Sequence, residues 1–446
     1  MPYKLILLFF IITGAALCQP YPDQHYFFEK DSLVKKIETM SSMKIGPDGK
    51  SIVLEDGAAD GYTIFSPDSS KYPFNEGLPS WNGKIPNDNS SFKVLMRFYN
   101  AGWSPWVTVG YWRSNLWSSY GATSFTGGKV DVDFVMLDSF CSKWQFQVVM
   151  KRTAASQPAA SLHKLSFFVS DSRATSNTNI TAIVNDKPAA IFIPTDHFYQ
   201  YALDPGIGGN ICSPTSTSMV LRSYKIMVDP LQFAKDNYDS YWEMFGVWPK
   251  AVQNAAQYGL NGAVTRYRTW SQVYEVLSAG GRVVMSVGKP LYTGHLIMVA
   301  GFDTQGNPIV HDPARRDGYA YTFDKTALSQ SWFLKGGVGY TFFQGDNATS
   351  VDSDEPAQTV SGFNIANYPN PFNGQTTISF ETPNSGYTRV TVYDITGREV
   401  ERLYDGMIQA GKHTFRWNAK LLPTGNYFIH AVSGQSSKTL KALLLK

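Results

Sequence analysis

The pattern of hydrophobic residues changes twice along this chain, and the changes divide its 446 residues into three parts. Residues 46–190 show short strand patterns separated by turns, which is typical of a β-sandwich. Residues 191–343 mix helical and strand patterns, and residues 362–446 return to short strands. The polar, acidic segment 345–361 has no pattern and predicts a linker. We therefore expect a multidomain protein of all-β and α+β parts: a β-sandwich, an α+β domain and a small Ig-like β-sandwich.

The composition supports a protein built largely from strands and excludes several other classes. Charged residues make up only 17% of the chain and aromatic residues 14%, a balance that excludes a disordered chain, a coiled coil and collagen. The net charge is +3, and Lys and Arg form no run. This balance argues against a nucleic-acid partner.

The first residues predict export. Lys4 precedes the apolar run 5–12, and Ala16-Leu17-Cys18 has the form of a cleavage site, which predicts a signal peptide over residues 1–18. The apolar run is shorter than the roughly 20 residues that a membrane helix needs. We expect no transmembrane span in the mature chain. A lipid anchor on Cys18 is an alternative, which the bulky Leu17 disfavours.

Two cysteines remain after residue 18, and their contexts differ. Cys141 sits in a strand-like run and is expected to be a small buried hydrophobic residue. Cys212 lies just before a helix predicted to start at Pro214, with Ser213 as its cap. The positive end of a helix favours a thiolate, which is what a cysteine nucleophile requires. Context alone leaves a buried core cysteine as an equal alternative.

A predicted hairpin brings a base and a carboxylate together. His295 opens the strand 295–302, the turn 303–307 reverses the chain, and the strand 308–312 ends at Asp312. An imidazole and a carboxylate at one end of a hairpin can form the base and orienting group of a Cys-His-Asp triad. The alternatives are a histidine satisfied by the backbone and an Asp-Pro turn.

Three segments resemble the secreted C39-like family of papain-like cysteine peptidases: residues 211–220, 294–302 and 310–314. The resemblance implies a papain-like α+β fold, with Cys212 as nucleophile, His295 as base and Asp312 as its orienting group. It also implies that Gln200 helps to hold the oxyanion. His311 stands where the family usually has Asn, which creates a second candidate histidine. The implied partner is a peptide or protein substrate, with no cofactor and no metal.

Residues 79–82 and 128–133 resemble the β-sandwich that often precedes this peptidase domain. The run Val130–Met136 alternates cleanly and predicts one strand. Asp131 and Asp133 are then expected to face outward on that strand, which we favour over a calcium site.

The last 85 residues resemble the type A C-terminal sorting domain, in the segments 368–373, 392–394, 397–400, 410–413, 425–428 and 441–446. The resemblance implies that the type IX secretion machinery is a partner and carries the protein to the cell surface or the extracellular space. An adhesion or carbohydrate-binding module is the alternative.

Together these features predict a secreted cysteine peptidase. A cell-wall peptide amidase or acyltransferase would use the same triad, and a surface-binding protein that has lost activity is the non-enzymatic alternative.

Overall fold

The computed structural model of the protein describes residues 21–112, 116–345, 364–368, 370–382, 386–395, 398–408, 411–433 and 436–445. The predicted signal peptide, and the predicted linker apart from Gly345, lie outside the described residues. The described parts are mostly β-structure with a few short helices. Within them, no helix combines the length and the apolar character that crossing a membrane requires.

The first part of the chain, residues 24–170, is called the N-terminal β domain here. Its elements are β1 Gln24–Glu29, α1 Asp31–Lys35, β2 Ile37–Ser41, β3 Met43–Ile45, β4 Ile52–Leu54, β5 Asp60–Phe65, β6 Asp68–Lys84, β7 Ser90–Tyr99, β8 Val107–Trp112, β9 Ser124–Phe125, β10 Gly128–Asp131, β11 Phe134–Arg152 and β12 Ser161–Ser170. The twelve strands form one continuous sheet, which includes β1–β3 from before residue 46.

Two long strands explain why the sheet is continuous. β6 pairs with β11 along its first half and with β12 along its second half. β11 pairs with β6, β5 and β7 at different points. The sheet encloses an apolar core that includes the fully buried rings of Trp81, Phe92, Trp144 and Phe167. Large aromatic residues pack well on the pleated surface of a sheet, and many of those in this chain lie in this core.

The predicted strand Val130–Met136 is wrong in one respect, because the structure divides it into two strands. β10 ends at Asp131 and β11 begins at Phe134, and these two residues pair across the turn. The chain reverses at Val132, which has a φ of 61°. Alternation cannot reveal such a turn when neither turn residue is Gly or Asn.

The second part of the chain, residues 172–344, contains the helices α2 Ser172–Ser176, α3 Ile180–Asn185, α4 Gln200–Leu203, α5 Cys212–Ser223, α6 Pro230–Asp236, α7 Trp248–Gln257, α8 Trp270–Ser278 and α9 Lys325–Phe333. Its strands are β13 Ile191–Phe192, β14 Leu260–Arg266, β15 Arg282–Val287, β16 His295–Phe302, β17 Pro308–His311 and β18 Val338–Gln344. They form an antiparallel sheet in the order β13-β16-β15-β18-β14, with β17 also on β16.

The first two parts pack tightly against each other. Leu78 and Phe168 of the N-terminal β domain belong to the same apolar core as the second part. Arg266 pairs with Glu76 at 2.7 Å, and the Asn82 amide bonds both backbone groups of Gly262. These polar groups are largely buried, so separating the two parts would leave them without partners.

The C-terminal strands are β19 Asn364–Tyr368, β20 Gln375–Thr382, β21 Gly386–Tyr393, β22 Glu399–Ile408, β23 Gly411–Asn418, β24 Gly425–Ser433 and β25 Ser436–Leu444. They form a three-stranded sheet and a four-stranded sheet, all antiparallel. Both sheets contribute to one core that contains Phe380, Val392, Trp417 and Ile429.

Candidate active site

Cys212 is the first residue of helix α5, two residues earlier than the sequence pattern predicts. Ser213 does not cap the helix, because its hydroxyl is hydrogen-bonded to that of Tyr340 at 2.8 Å. Pro214 fits within the first turn, where a backbone N–H has no acceptor in the helix. The thiol therefore lies at the positive end of the helix.

Helix α5 is rich in hydroxyl side chains, yet nearly all of it is buried. Several of the hydroxyls donate to backbone carbonyls: Thr217 donates to Ser213 within the helix, and Ser216 donates to the carbonyl of Leu296 at 2.9 Å. Leu296 directly follows His295 on strand β16. This bond holds the helix that carries the cysteine against the strand that carries the histidine.

Cys212 and His295 lie close enough for each to shift the pKa of the other. The backbone N–H groups of Ser213 and Leu296 also help to lower the pKa of the thiol. Burial opposes ionisation of the thiol, but the neighbouring His295 outweighs it, so the pKa of Cys212 is lowered. This environment favours the thiolate.

His295 is held from its other side by Asp312. Its Nε2 atom lies 2.8 Å from Asp312 Oδ1, which leaves Nδ1 as the nitrogen that faces Cys212. Burial would lower the pKa of His295, but Asp312 and Cys212 together raise it to about 9. A lowered thiol pKa and a raised imidazole pKa both favour a thiolate and an imidazolium over the neutral pair.

Asp312 is completely buried and has a second side-chain partner that the sequence does not indicate. The hydroxyl of Tyr292 donates to Asp312 Oδ2 at 2.5 Å, and the Tyr292 ring lies 4.3 Å from that of His295. Ala314 N–H donates to Asp312 Oδ1. Burial would raise the pKa of Asp312, but the bonds from His295 and Tyr292 lower it, so the carboxylate stays ionised. Tyr292 precedes the histidine in a turn, and no motif marks it.

His311 takes no part in this arrangement. It is buried on the other side of strand β17, where its Nε2 lies 3.0 Å from the carbonyl oxygen of Ile193 and its Nδ1 accepts from Ala320 N–H. Burial lowers the pKa of His311 to about 4. A neutral imidazole with both nitrogens bonded to backbone has a structural role.

Gln200 opens helix α4 and is buried, with 1% of its surface exposed. One amide hydrogen is donated to the carbonyl of Gly208 at 2.7 Å. Gly208 lies four residues before Cys212, in the turn that leads into helix α5. The backbone N–H of Gln200 donates to Pro313, the residue after Asp312. Gln200 thus links the cysteine segment to the Asp312 segment, and its second amide hydrogen is left for another acceptor.

Cys141 differs from Cys212 in each of these respects. Its thiol lies within bonding distance of the carbonyls of Tyr99 and Lys143, and burial raises its pKa. It is the small buried residue that its context predicts. Among the residues that the structure describes, no three His, Cys, Asp or Glu side chains are grouped so as to hold a metal ion.

An open groove of about 690 Å³ borders the site on the side of Tyr292. Its walls are residues 289–293, Gln330 and Leu334. Leu334 is 53% exposed and adds an apolar surface to the groove. Tyr292, whose ring lies against that of His295, is one of the residues that line the groove.

Comparison with known protein families accounts for three segments of the chain. Residues 192–340 match the Peptidase_C39 like family, and residues 59–170 match the Peptidase C39 N-terminal domain. Residues 366–446 match the secretion system C-terminal sorting domain. No curated protein matches the chain significantly.

Solved structures show only weak similarity. A double-glycine-motif protease from an AMS/PCAT transporter, crystallised with a leader peptide, is 20% identical, with 36% of this chain and 99% of that chain covered and a TM-score of 0.26. PorZ, a type IX secretion component of Porphyromonas gingivalis, is 17% identical over 36% of this chain and 25% of its own, with a TM-score of 0.16. Scores this low carry no argument about function.

The matches make the second part of the chain similar to the Peptidase_C39 like family and, together with the sorting domain, they support a secreted peptidase. More particularly, the segment similar to the Peptidase C39 N-terminal domain precedes the peptidase-like segment, and the segment that matches the sorting domain follows it. The sorting domain indicates export to the cell surface or the extracellular space.

Proposed function

We propose that this protein is a secreted cysteine peptidase that hydrolyses peptide bonds through Cys212, His295 and Asp312. The observation that carries the proposal is the 2.8 Å hydrogen bond between His295 and Asp312 beside Cys212, with pKa shifts of opposite sign on Cys212 and His295. A buried structural cysteine has a raised pKa and no base beside it, as Cys141 illustrates.

The first half of the reaction forms a thioester. The Cys212 thiolate attacks the carbonyl carbon of the scissile peptide bond, and the carbonyl oxygen becomes an oxyanion. His295, as imidazolium, gives its proton to the leaving nitrogen as the carbon–nitrogen bond breaks. The products of this half are a free amine and the acyl group on sulfur.

The second half restores the enzyme. Neutral His295 takes a proton from water, and the resulting hydroxide attacks the thioester carbon. The carbon–sulfur bond breaks, the acid is released, and Cys212 returns as thiolate beside an imidazolium. Asp312 stays ionised throughout, because it fixes the orientation of the ring and stabilises its positive charge.

Two N–H groups are available for the oxyanion. The backbone N–H of Cys212, as the first helical residue, has no acceptor within the helix. The second is the amide hydrogen of Gln200 that Gly208 does not use. Preorganised donors of this kind are worth about 10²–10³ in kcat each.

The test is hydrolysis of an unfolded protein substrate by the purified wild type and two cysteine variants. Cys212→Ala should abolish hydrolysis, because no nucleophile remains. Cys141→Ser is the matched control and should retain it. A Cys212→Ala enzyme that is still active would overturn the proposal. Two further assays test the alternatives. An acyltransferase would join the acyl group to an added primary amine and form a new amide. A cell-wall amidase would cleave cell-wall peptide but not the unfolded protein.

A further inference from the structure

A side chain of the N-terminal β domain reaches the peptidase site. Asp133, at the tip of the β10–β11 hairpin, accepts a hydrogen bond from the backbone N–H of Trp248 at 2.6 Å. Trp248 is the first residue of helix α7, and the preceding Val247 provides no capping side chain. Asp133 therefore caps this helix from 115 positions away in the sequence.

The tip of the hairpin has a strained backbone and a buried carboxyl group, both of which are energetically unfavourable. Val132 has a φ of 61°, a conformation that strains a β-branched residue. The N–H of Asp133 bonds the carbonyl of Asp131, two residues earlier, which closes a strained γ-turn. Asp133 is only 7% exposed, and burial raises its pKa to about 7. Strain and a buried acid at one point indicate a functional constraint.

Helix α7 lies between the N-terminal β domain and the helix that carries the nucleophile. It packs against strand β6 on one side and against helix α5 on the other. The Gln253 amide donates to the Gly83 carbonyl, and the Gln257 side chain bonds both backbone groups of Ile85. The N-terminal β domain thus holds the helix along its length, with Asp133 at the end nearest the site.

The segment that enters helix α7 lies against the cysteine. A Cβ atom on Gly246, two residues before Trp248, would stand 3.9 Å from the Cβ of Ser213. The charges of both Asp133 and Cys212 act on Tyr340 and on Lys335, so the four groups lie in the same region of the molecule. Tyr340 in turn is bonded to Ser213. A displacement of the first residues of helix α7 would therefore also displace Ser213 and Cys212.

We propose that Asp133 is a positioning residue for the peptidase, so that the N-terminal β domain completes the active site of the domain that follows it. The inference rests on the proposed function. It assigns the N-terminal β domain a part in the reaction itself: Asp133 fixes the start of helix α7, and helix α7 fixes the wall beside the nucleophile.

The test compares variants of Asp133 in the full chain, with Asp131→Asn as the matched control. Asp131 is an exposed carboxylate on the same hairpin, paired only with Lys129 among the ion pairs that the structure describes. Asp133→Ala should lower kcat about tenfold or more with little change in KM, since small misplacement of reacting groups is costly. It should also slow alkylation of Cys212 by iodoacetamide. Asp133→Asn keeps an acceptor for Trp248 N–H, so its kcat and its alkylation rate should be close to those of the wild type. Asp131→Asn should leave both kcat and the alkylation rate unchanged.

Two results would overturn the inference. The first is a folded Asp133→Ala enzyme whose kcat and alkylation rate equal those of the wild type. The second applies if Asp133→Ala does not fold: Asp133→Leu has a similar volume but no acceptor for Trp248 N–H, and a folded Leu variant with wild-type kcat and alkylation rate would contradict a positioning role. A wild type that neither cleaves protein nor alkylates preferentially at Cys212 would overturn the proposed function as well. An active wild type with unaffected Asp133 variants would overturn this inference alone.

Discussion

The hydroxyl of Tyr292 donates to Asp312 Oδ2 across 2.5 Å, on the oxygen that His295 does not use. Burial and the neighbouring carboxylate raise the pKa of Tyr292 far above its usual value, so the hydroxyl keeps its proton and remains a donor. The same ring packs on His295 and lines the groove. Tyr292 therefore contacts both the orienting group and the base.

Tyr292→Phe removes the hydroxyl but keeps the ring, and we expect it to lower kcat more than it changes KM. A hydrogen bond to a charged group is worth about 1.5–3 kcal/mol, which corresponds to roughly 10–100-fold in rate. Steady-state kinetics on one peptide measures the effect. Tyr321→Phe, a nearby tyrosine for which the described contacts include no bond to Asp312, is the control. Equal kcat values for wild type and Tyr292→Phe would contradict the role.

The two histidines should respond differently to substitution. His295→Ala removes the base and should reduce kcat/KM by about 10²–10⁴-fold. His311→Asn keeps one backbone contact and should change kcat/KM by less than about tenfold, or about 1.4 kcal/mol of barrier. Its cost should fall on thermal stability, because a buried backbone group loses its partner. An inactive His311→Asn enzyme beside an active His295→Ala enzyme would reverse the assignment.

The opposed pKa shifts predict a bell-shaped dependence of kcat/KM on pH. Activity should rise as Cys212 ionises, at a pH below the ordinary value for a thiol. It should fall as the pH passes about 9, where His295 loses the proton that the leaving group needs. Asp312→Asn removes the charge that supports the imidazolium, so the alkaline limb should move to lower pH. An alkaline limb that does not move in this variant would contradict the account.

Much of this site could be predicted from local patterns, and the exceptions share one cause. His295 and Asp312 meet because a hairpin of predictable length joins them, and antiparallel pairing is dictated by the turn. Tyr292 and Asp133 carry no pattern, because their roles depend on tertiary contacts. The alternating run predicts that Asp133 faces outward. The structure buries it instead, because the chain turns at Val132 and the alternation does not reveal that turn.

The fold shows the same division between local and distant information. Strand β16 begins and ends where the hydrophobic pattern predicts, at residues 295–302. The continuity of the N-terminal sheet was not predictable, because the long strands β6 and β11 change partners along their length. Pairing between distant strands depends on which surfaces meet, and a single strand's sequence does not specify this.

The sorting domain predicts a separation of export from catalysis. Deleting residues 362–446 should leave the peptidase active but retained in the periplasm, because the deleted part contains the sorting signal and none of the site residues. Cell fractionation with an antibody to the peptidase domain measures the distribution. Full-length Cys212→Ala is the control and should be exported normally. Truncated protein outside the cell at the wild-type level would refute the prediction.

The central claim is that Cys212 is a nucleophile activated by His295, and its alkylation tests this most directly. The folded protein is treated near neutral pH with a substrate-like, thiol-directed inhibitor, and the modified residue and its rate are determined by mass spectrometry. The account predicts rapid modification of Cys212, none of Cys141 until the protein is unfolded, and much slower modification of Cys212 in His295→Ala. Equal modification of both cysteines, or a Cys212 rate that His295→Ala leaves unchanged, would contradict it.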